Sequence, residues 1–121
     1  MEETTLNAVL ESLKSISDDE EVWYGIAAKH DPAKPWNYTV FSRDTTGIAK
    51  DLTSRSERYL VAVVREEYVP SELLDKVIDA IKKIPGFKLD ASHEIEYRYD
   101  VKPGTKDSVE MMIVRFVRGR K

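Results

Sequence analysis

The chain has 121 residues, of which 22 are acidic and 19 basic, so its net charge at pH 7 is −3. This length suits one domain spanning residues 1–121, and the mild acidity argues against a general affinity for nucleic acid or anionic lipid. The absence of cysteine excludes disulfides, thiol catalysis and cysteine-based zinc sites. No apolar run approaches the roughly 20 residues that span a bilayer, and the first residues are acidic, so we expect a soluble, unexported chain.

The first predicted element is a helix, because apolar residues from Leu6 to Ile16 recur at helical spacing. The densest acidic run of the chain follows at residues 17–21. A metal site needs several oxygens that converge on one point. We therefore interpret this run as a solvated connection.

Two strands are predicted next, over residues 22–27 and 36–43, and their succession predicts a hairpin. Residues 44–57 are polar and aperiodic, which predicts a mobile loop. Ile48 and Leu52 are the only large apolar residues of this loop. They fit either one half of an interface or the end of a floppy hairpin.

The chain is organised around residues 58–87. The apolar run 59–64 predicts a central strand, and apolar residues at helical spacing after Ser71 predict an amphipathic helix that stops at Pro85.

Two further strands are predicted near the end. Residues 93–101 alternate, so Ile95, Tyr97, Tyr99 and Val101 are expected to face the core. Residues 108–117 are apolar enough to lie inside the sheet. The whole order predicts an α+β fold, with two helices packed on one face of a mostly antiparallel, mixed β-sheet.

Candidate chemistry is sparse. The five glycines are scattered, so no phosphate-binding loop is present, and neither His30 nor His93 has the spacing of a zinc enzyme. Glu94 and Glu96 share a strand face, which fits solvated side chains better than a catalytic carboxylate pair. The basic end 118–121 lacks the spacing of a nucleic-acid motif. We therefore expect a non-enzymatic protein with no catalytic residues, cofactor or metal.

Three phrases of the sequence carry a family resemblance: WNYTVFSR at 36–43, YLVAVVREEYVP at 59–70 and VEMMIVRF at 109–116. They resemble a family of small proteins from tailed phages and prophages of Gram-positive bacteria, whose members are similar to tail terminators, also called tail-to-head joining proteins. The similarity covers nearly the whole chain from about Trp23. The predicted element order is also similar to the terminator fold.

This resemblance implies a structural protein that caps the completed tail tube as a ring, usually of six subunits, and forms the tail-to-head joint. Its partners would be further copies of itself, the tail tube protein and a head-completion or connector protein, with no sequence-specific nucleic acid and no membrane. Its place would be the head-proximal end of the tail in the virion, and the host cytoplasm before assembly. Two alternatives stay open: a head-completion or connector protein, and a small ligand-binding regulatory α+β domain.

Candidate interface residues follow from this implied role, because a ring is built from heterologous contacts and a loop that orders on assembly delays polymerisation. They come from the predicted loop, the acidic run and the basic end: Ile48, Leu52, Arg55, Asp18, Asp19, Arg118, Arg120 and Lys121. The acidic run and the basic end can pair between subunits or face the tube and the connector.

The double variant Ile48→Asp, Leu52→Asp tests the loop. We expect it to fold normally and to abolish joining, because both apolar anchors would become charged. Circular dichroism of the purified variant checks folding, and electron microscopy of the particles counts joined tails. Normal joining by a folded variant would contradict the anchoring role.

Overall fold

The structure is a computed structural model that describes residues 4–16, 21–26, 35–48 and 55–120. The elements in chain order are α1 (Thr4–Lys14), β1 (Glu21–Tyr24), β2 (Tyr38–Ile48), β3 (Arg55–Glu66), α2 (Ser71–Lys82), β4 (Phe87–Leu89), β5 (Glu96–Val101) and β6 (Ser108–Arg120). The predicted α+β class, with two helices and a mostly antiparallel mixed sheet, is confirmed.

The sheet has six strands in the order β1-β2-β3-β6-β4, and β5 also pairs with β6. Strand β3 pairs with β6 from Arg55 opposite Arg120 to Glu66 opposite Val109. Strands β4 and β5 pair with successive parts of β6 and so share its other side. Among the described strands, β1 therefore forms one edge of the sheet, and β4 and β5 form the opposite edge.

The predicted hairpin between the first two strands is wrong. Strands β1 and β2 are parallel, with Glu21 opposite Tyr38 and Tyr24 opposite Phe41. A parallel pair needs a connection of about a dozen residues or more to return the chain to its start. The connection at 25–37, part of which lies outside the described residues, has that length.

The predicted loop at 44–57 is wrong at both of its ends. Strand β2 continues to Ile48 and β3 begins at Arg55, and the two strands pair there. The pairing has an irregular register between Arg43 and Thr46. Such an irregularity interrupts the two-residue alternation within this part of β2. The remaining loop residues, 49–54 with Leu52, lie outside the described residues.

The hydrophobic core lies between one face of the sheet and both helices. Odd-numbered residues of β3 lie opposite even-numbered residues of β6, so Tyr59 faces Phe116 and Val61 faces Val114 across the ladder. Helical spacing brings the apolar side of each helix onto this layer. The most deeply buried contributors are Leu6, Val9, Leu13, Phe41, Tyr59, Val61, Val63, Val77, Ile81, Met112, Val114 and Phe116.

The predicted core face of β5 is wrong for three of its four residues. Tyr97, Tyr99 and Val101 are 46%, 70% and 50% exposed. They project toward the helix side of the sheet, but α1 contacts β1 and α2 contacts β4, so neither of the described helices packs on β5. The two-residue alternation identifies a strand, whereas burial depends on what packs above it.

Leu13→Ala tests the docking of α1, with Leu10→Ala as a matched control in the same helix. Leu13 is fully buried and Leu10 is only partly buried. We expect Leu13→Ala to lower the free energy of unfolding by about 2–5 kcal/mol and Leu10→Ala by clearly less, since the larger cavity costs more. Urea denaturation measures both values, and equal losses would contradict this packing of α1.

Candidate functional site

The sheet has a second face, turned away from the helices, that we call the open face. It carries Tyr38, Val40, Leu60, Ala62, Val64 and Met111, because strand residues alternate between the two sides. These six residues, with Gly25, Ile26 and Ser42, line a groove of about 280 Å³. None of the described helices covers this groove. Ala62 and Val64 are nearly fully buried in it, whereas Tyr38, Val40, Leu60 and Met111 are partly exposed and available to another molecule.

An arginine network borders the groove. The Arg115 guanidinium donates a hydrogen bond to Glu96 Oε1 over 2.5 Å, and its Nε lies 3.5 Å from Asp44 Oδ2. The Arg98 guanidinium donates to the other Glu96 oxygen over 3.1 Å. These hydrogen bonds, from Arg115 first and Arg98 second, lower the pKa of Glu96. A carboxylate held ionised in this way is poorly suited to proton transfer at neutral pH.

A second network lies at the Glu66 end of β3. Glu66 Oε1 lies 2.6 Å from Lys102 Nζ and accepts a hydrogen bond from the backbone N–H of Trp36 over 3.2 Å. The hydrogen bond from Lys102 is the main cause of the lowered pKa of Glu66. Lys102 Nζ also lies 5.9 Å from the centre of the Trp36 ring. This contact ties the β5–β6 turn to the residues that precede β2.

The polar cluster that looks most like a catalytic site is the turn after β4. His93 Nδ1 lies 3.0 Å from Asp90 Oδ2 and 3.1 Å from Ser92 Oγ, and Ser92 Oγ donates to Asp90 Oδ1 over 2.5 Å. In a Ser-His-Asp triad, the carboxylate and the serine contact different ring nitrogens. Here both contact Nδ1, so the arrangement does not form a proton relay.

Asp90 instead stabilises the turn. It is buried, and hydrogen bonds from Ser92 are the largest cause that lowers its pKa, with His93 adding to the shift. Arg58 Nε on β3 lies 3.6 Å from the same carboxylate. The cluster therefore anchors the β4–β5 connection to the centre of the sheet.

On the helix side, a buried glutamate connects β6 with its neighbours. Glu110 accepts a hydrogen bond from the backbone N–H of Val69 over 2.7 Å. The Tyr99 hydroxyl also hydrogen-bonds to Glu110, which raises the pKa of Tyr99. The hydroxyl of Tyr99 is thus fixed while its ring stays exposed.

Three predicted interface residues come together at one end of the sheet. Ile48 pairs with Arg55 across β2 and β3, and Arg55 pairs with Arg120 across β3 and β6. Their register positions are therefore neighbours on three adjacent strands. Asp18, Asp19, Leu52 and Lys121, also predicted as interface residues, lie outside the described residues.

Arg118, another predicted interface residue, makes contacts within the chain. Its Nη1 donates to Thr5 Oγ1 on α1 over 3.1 Å and lies 3.7 Å from Glu57 Oε1 on β3. The guanidinium also lies 5.9 Å from the centre of the Phe87 ring. Arg118 therefore links α1 to the sheet.

Sequence reasoning missed the exposed apolar side chains at the sheet edges. Large hydrophobic residues with 37–70% exposure lie at both edges and in the connection after β3: Tyr24, Ile26, Tyr68, Leu89, Tyr97, Tyr99 and Val101. Tyr24 and Ile26 belong to the β1 edge, whereas Leu89, Tyr97, Tyr99 and Val101 belong to the opposite edge. In the sequence these residues follow the same apolar patterns as core residues, so their exposure becomes clear only from their positions at the sheet edges.

Comparison with known proteins adds no family assignment: no protein-family model and no curated protein matches the chain. Within the described ranges, no group of three or more His, Asp or Glu side chains is placed to hold a metal ion. The helices in those ranges are too short or too polar to cross a membrane.

Asp90→Asn tests the turn, with the exposed Asp75→Asn on α2 as a control. We expect Asp90→Asn to lower the free energy of unfolding at pH 7 by about 1–3 kcal/mol, because a buried acceptor loses its charge, and Asp75→Asn to change it little. A carboxyl whose pKa falls on folding stabilises the protein above its ordinary value of 3.8 and loses that effect as pH falls through the lowered pKa.

The difference in the free energy of unfolding between wild type and Asp90→Asn should therefore be constant near neutral pH and shrink below about pH 4. Urea denaturation at pH 7 and at pH 3 measures it. A difference that grows on acidification would contradict the assigned role of Asp90.

Proposed function

We propose that this protein is a non-enzymatic phage structural protein that caps the completed tail tube as a ring and forms the tail-to-head joint. The observation that carries the proposal is the open face, an apolar surface on one side of the six-stranded sheet. The resemblance of three sequence phrases to tail terminators supplies the particular role.

The open face has the anatomy of a protein interface. Protein interfaces combine an apolar centre with a polar rim. On the open face, Val40, Leu60 and Met111 form part of the centre, and the networks around Glu96 and Glu66 form the rim. This arrangement supports association with a protein surface.

The polar clusters support association over catalysis. Asp90, Glu96 and Glu66 have lowered pKa values because hydrogen bonds stabilise their ionised forms. Each of them joins two or more segments of the chain. A catalytic acid or base at neutral pH needs a pKa shifted toward that pH, which is the opposite of these shifts.

The phrases that carry the resemblance occupy adjacent strands. Residues 36–43 lie in β2 and before it, 59–70 begin in β3, and 109–116 lie in β6. In the sheet these strands have the order β2-β3-β6. The resemblance therefore concerns the framework that builds the open face.

The test is a stop codon in this gene within the phage or prophage that carries it, with the intact gene on a plasmid as control. We expect electron micrographs of tails with irregular or excessive length beside DNA-filled heads that lack tails. The plasmid should restore normal particles.

Two other results would contradict the terminator role. Empty or leaking heads beside tails of normal length would favour a head-completion or connector protein. Normal virions would favour the ligand-binding alternative, for which the groove of about 280 Å³ is the specific observation.

A further inference from the structure

We infer that copies of this chain associate head to tail through opposite edges of the sheet, so that β1 of one subunit pairs with β5 of the next. This inference rests on the proposed function and specifies which strands join neighbouring subunits of the ring. The partner is thus a second copy, and the anchors are Tyr97 and Tyr99 of one subunit and Tyr24 of the other.

The β5 edge offers backbone groups to an incoming strand. The Lys102 N–H donates to the Asp107 carbonyl over 3.0 Å, which continues the β5–β6 ladder by one pair beyond Val101 and Ser108. Hydrogen-bonded pairs alternate along an antiparallel ladder, so the backbone groups of Tyr97, Tyr99 and Val101 point away from β6. Asp100 Oδ1 accepts the Val101 N–H over 2.8 Å, which leaves the two tyrosines as the pairing positions.

The β1 edge offers a matching pair of positions. The Gly25 N–H donates to the Phe41 carbonyl over 2.8 Å, and Tyr24 is the register partner of Phe41. In a parallel ladder with this register, the backbone N–H and C=O groups of Trp23 and Gly25 point toward β2, whereas those of Val22 and Tyr24 point away from the sheet. The Tyr24 carbonyl also accepts the Ile26 N–H over 3.1 Å, so the outward groups of this edge that an incoming strand can use are the Tyr24 N–H and the backbone of Val22.

Strand directions allow this pairing in a ring. Strands β1, β2 and β6 run one way, and β3 and β5 run the other way. When all copies point the same way along the ring axis, β1 of one copy is antiparallel to β5 of the next. The contact would continue the antiparallel pattern that dominates the sheet.

The side chains at the two edges are complementary. Tyr24 projects to the helix side, where its ring centre lies 5.2 Å from that of the core residue Phe41. Tyr97 and Tyr99 project to the same side, because they lie opposite Met112 and Glu110. Edge pairing therefore brings exposed tyrosines together on one surface, and aromatic cross-strand pairs stabilise sheets.

The next subunit also supplies the helix that β5 lacks. In each subunit α1 contacts β1, while β5 has exposed apolar residues on its helix side. A β1 strand placed beside β5 carries its own α1 toward Tyr97 and Tyr99. The contact thus extends both the sheet and the helix layer across the boundary between subunits.

The area that the two tyrosines would bury implies that one β1–β5 contact by itself is weak. With about 200 Å² per tyrosine side chain, the exposed fractions of Tyr97 and Tyr99, 46% and 70%, correspond to roughly 230 Å². A standard interface buries about 800 Å² on each partner. A ring gives every subunit two such contacts, so closure strengthens an association that a pair of subunits holds only weakly.

Chemical cross-linking tests the contact, and the absence of native cysteine makes the labelling specific. The variant carries Trp23→Cys on β1 and Arg98→Cys on β5 and is treated with a short bismaleimide at high protein concentration. Gel electrophoresis should show a ladder of three or more subunits. Each single-cysteine variant should give no ladder.

Removing the anchors provides the matched comparison. Adding Tyr97→Ser and Tyr99→Ser should reduce products of three or more subunits by about tenfold or more, as loss of buried aromatic contacts weakens the pairing. Adding Tyr97→Phe and Tyr99→Phe should keep the ladder, since the rings remain. Circular dichroism confirms that each variant is folded.

Two outcomes would overturn the inference: no ladder from the folded double-cysteine variant, or efficient dimers from the Arg98→Cys variant alone, which indicate a symmetric β5–β5 contact. Failure here leaves the micrographs of the stop-codon particles unaffected, so the proposed function and its contact are judged separately. A ladder together with normal virions would retain the contact and reject the tail role.

Discussion

The pairing of β3 with β6 is the interaction on which the rest of the structure depends. These strands pair along nearly their whole length, and every other strand except β1 pairs directly with one of them. One side of the pair carries Tyr59, Val61 and Phe116 into the core, and the other side carries Leu60 and Met111 into the groove. A single ladder thus fixes both the position of the helices and the shape of the open face.

Local pattern predicted the two helices and the two central strands. The apolar spacing of α1 and α2 reflects one side packed against the core, and the continuous apolar runs in β3 and β6 reflect burial on both faces of the sheet. Pairing partners were harder to predict. The parallel arrangement of β1 and β2 depends on the path of a long connection, which hydrophobic period does not encode.

The candidate site was less predictable than the fold for a related reason. Tyr97 and Tyr99 alternate with charged residues as core residues do, yet both are exposed because no described helix lies above β5. Asp90, Ser92 and His93 are close in sequence, but only their geometry shows that both oxygen-bearing side chains contact the same ring nitrogen. The exposure of the tyrosines depends on helices that are distant in the sequence. The hydrogen bonds of the turn depend on atomic positions that a sequence does not give.

The place of β6 in the chain has a consequence for synthesis. This strand follows all the others, yet β3, β4 and β5 each use it as a pairing partner. Until it emerges from the ribosome, β3 lacks the partner on one side, and β4 and β5 lack the strand that aligns them. A nascent chain that still lacks β6 therefore has neither the complete open face nor a β5 strand aligned on its partner.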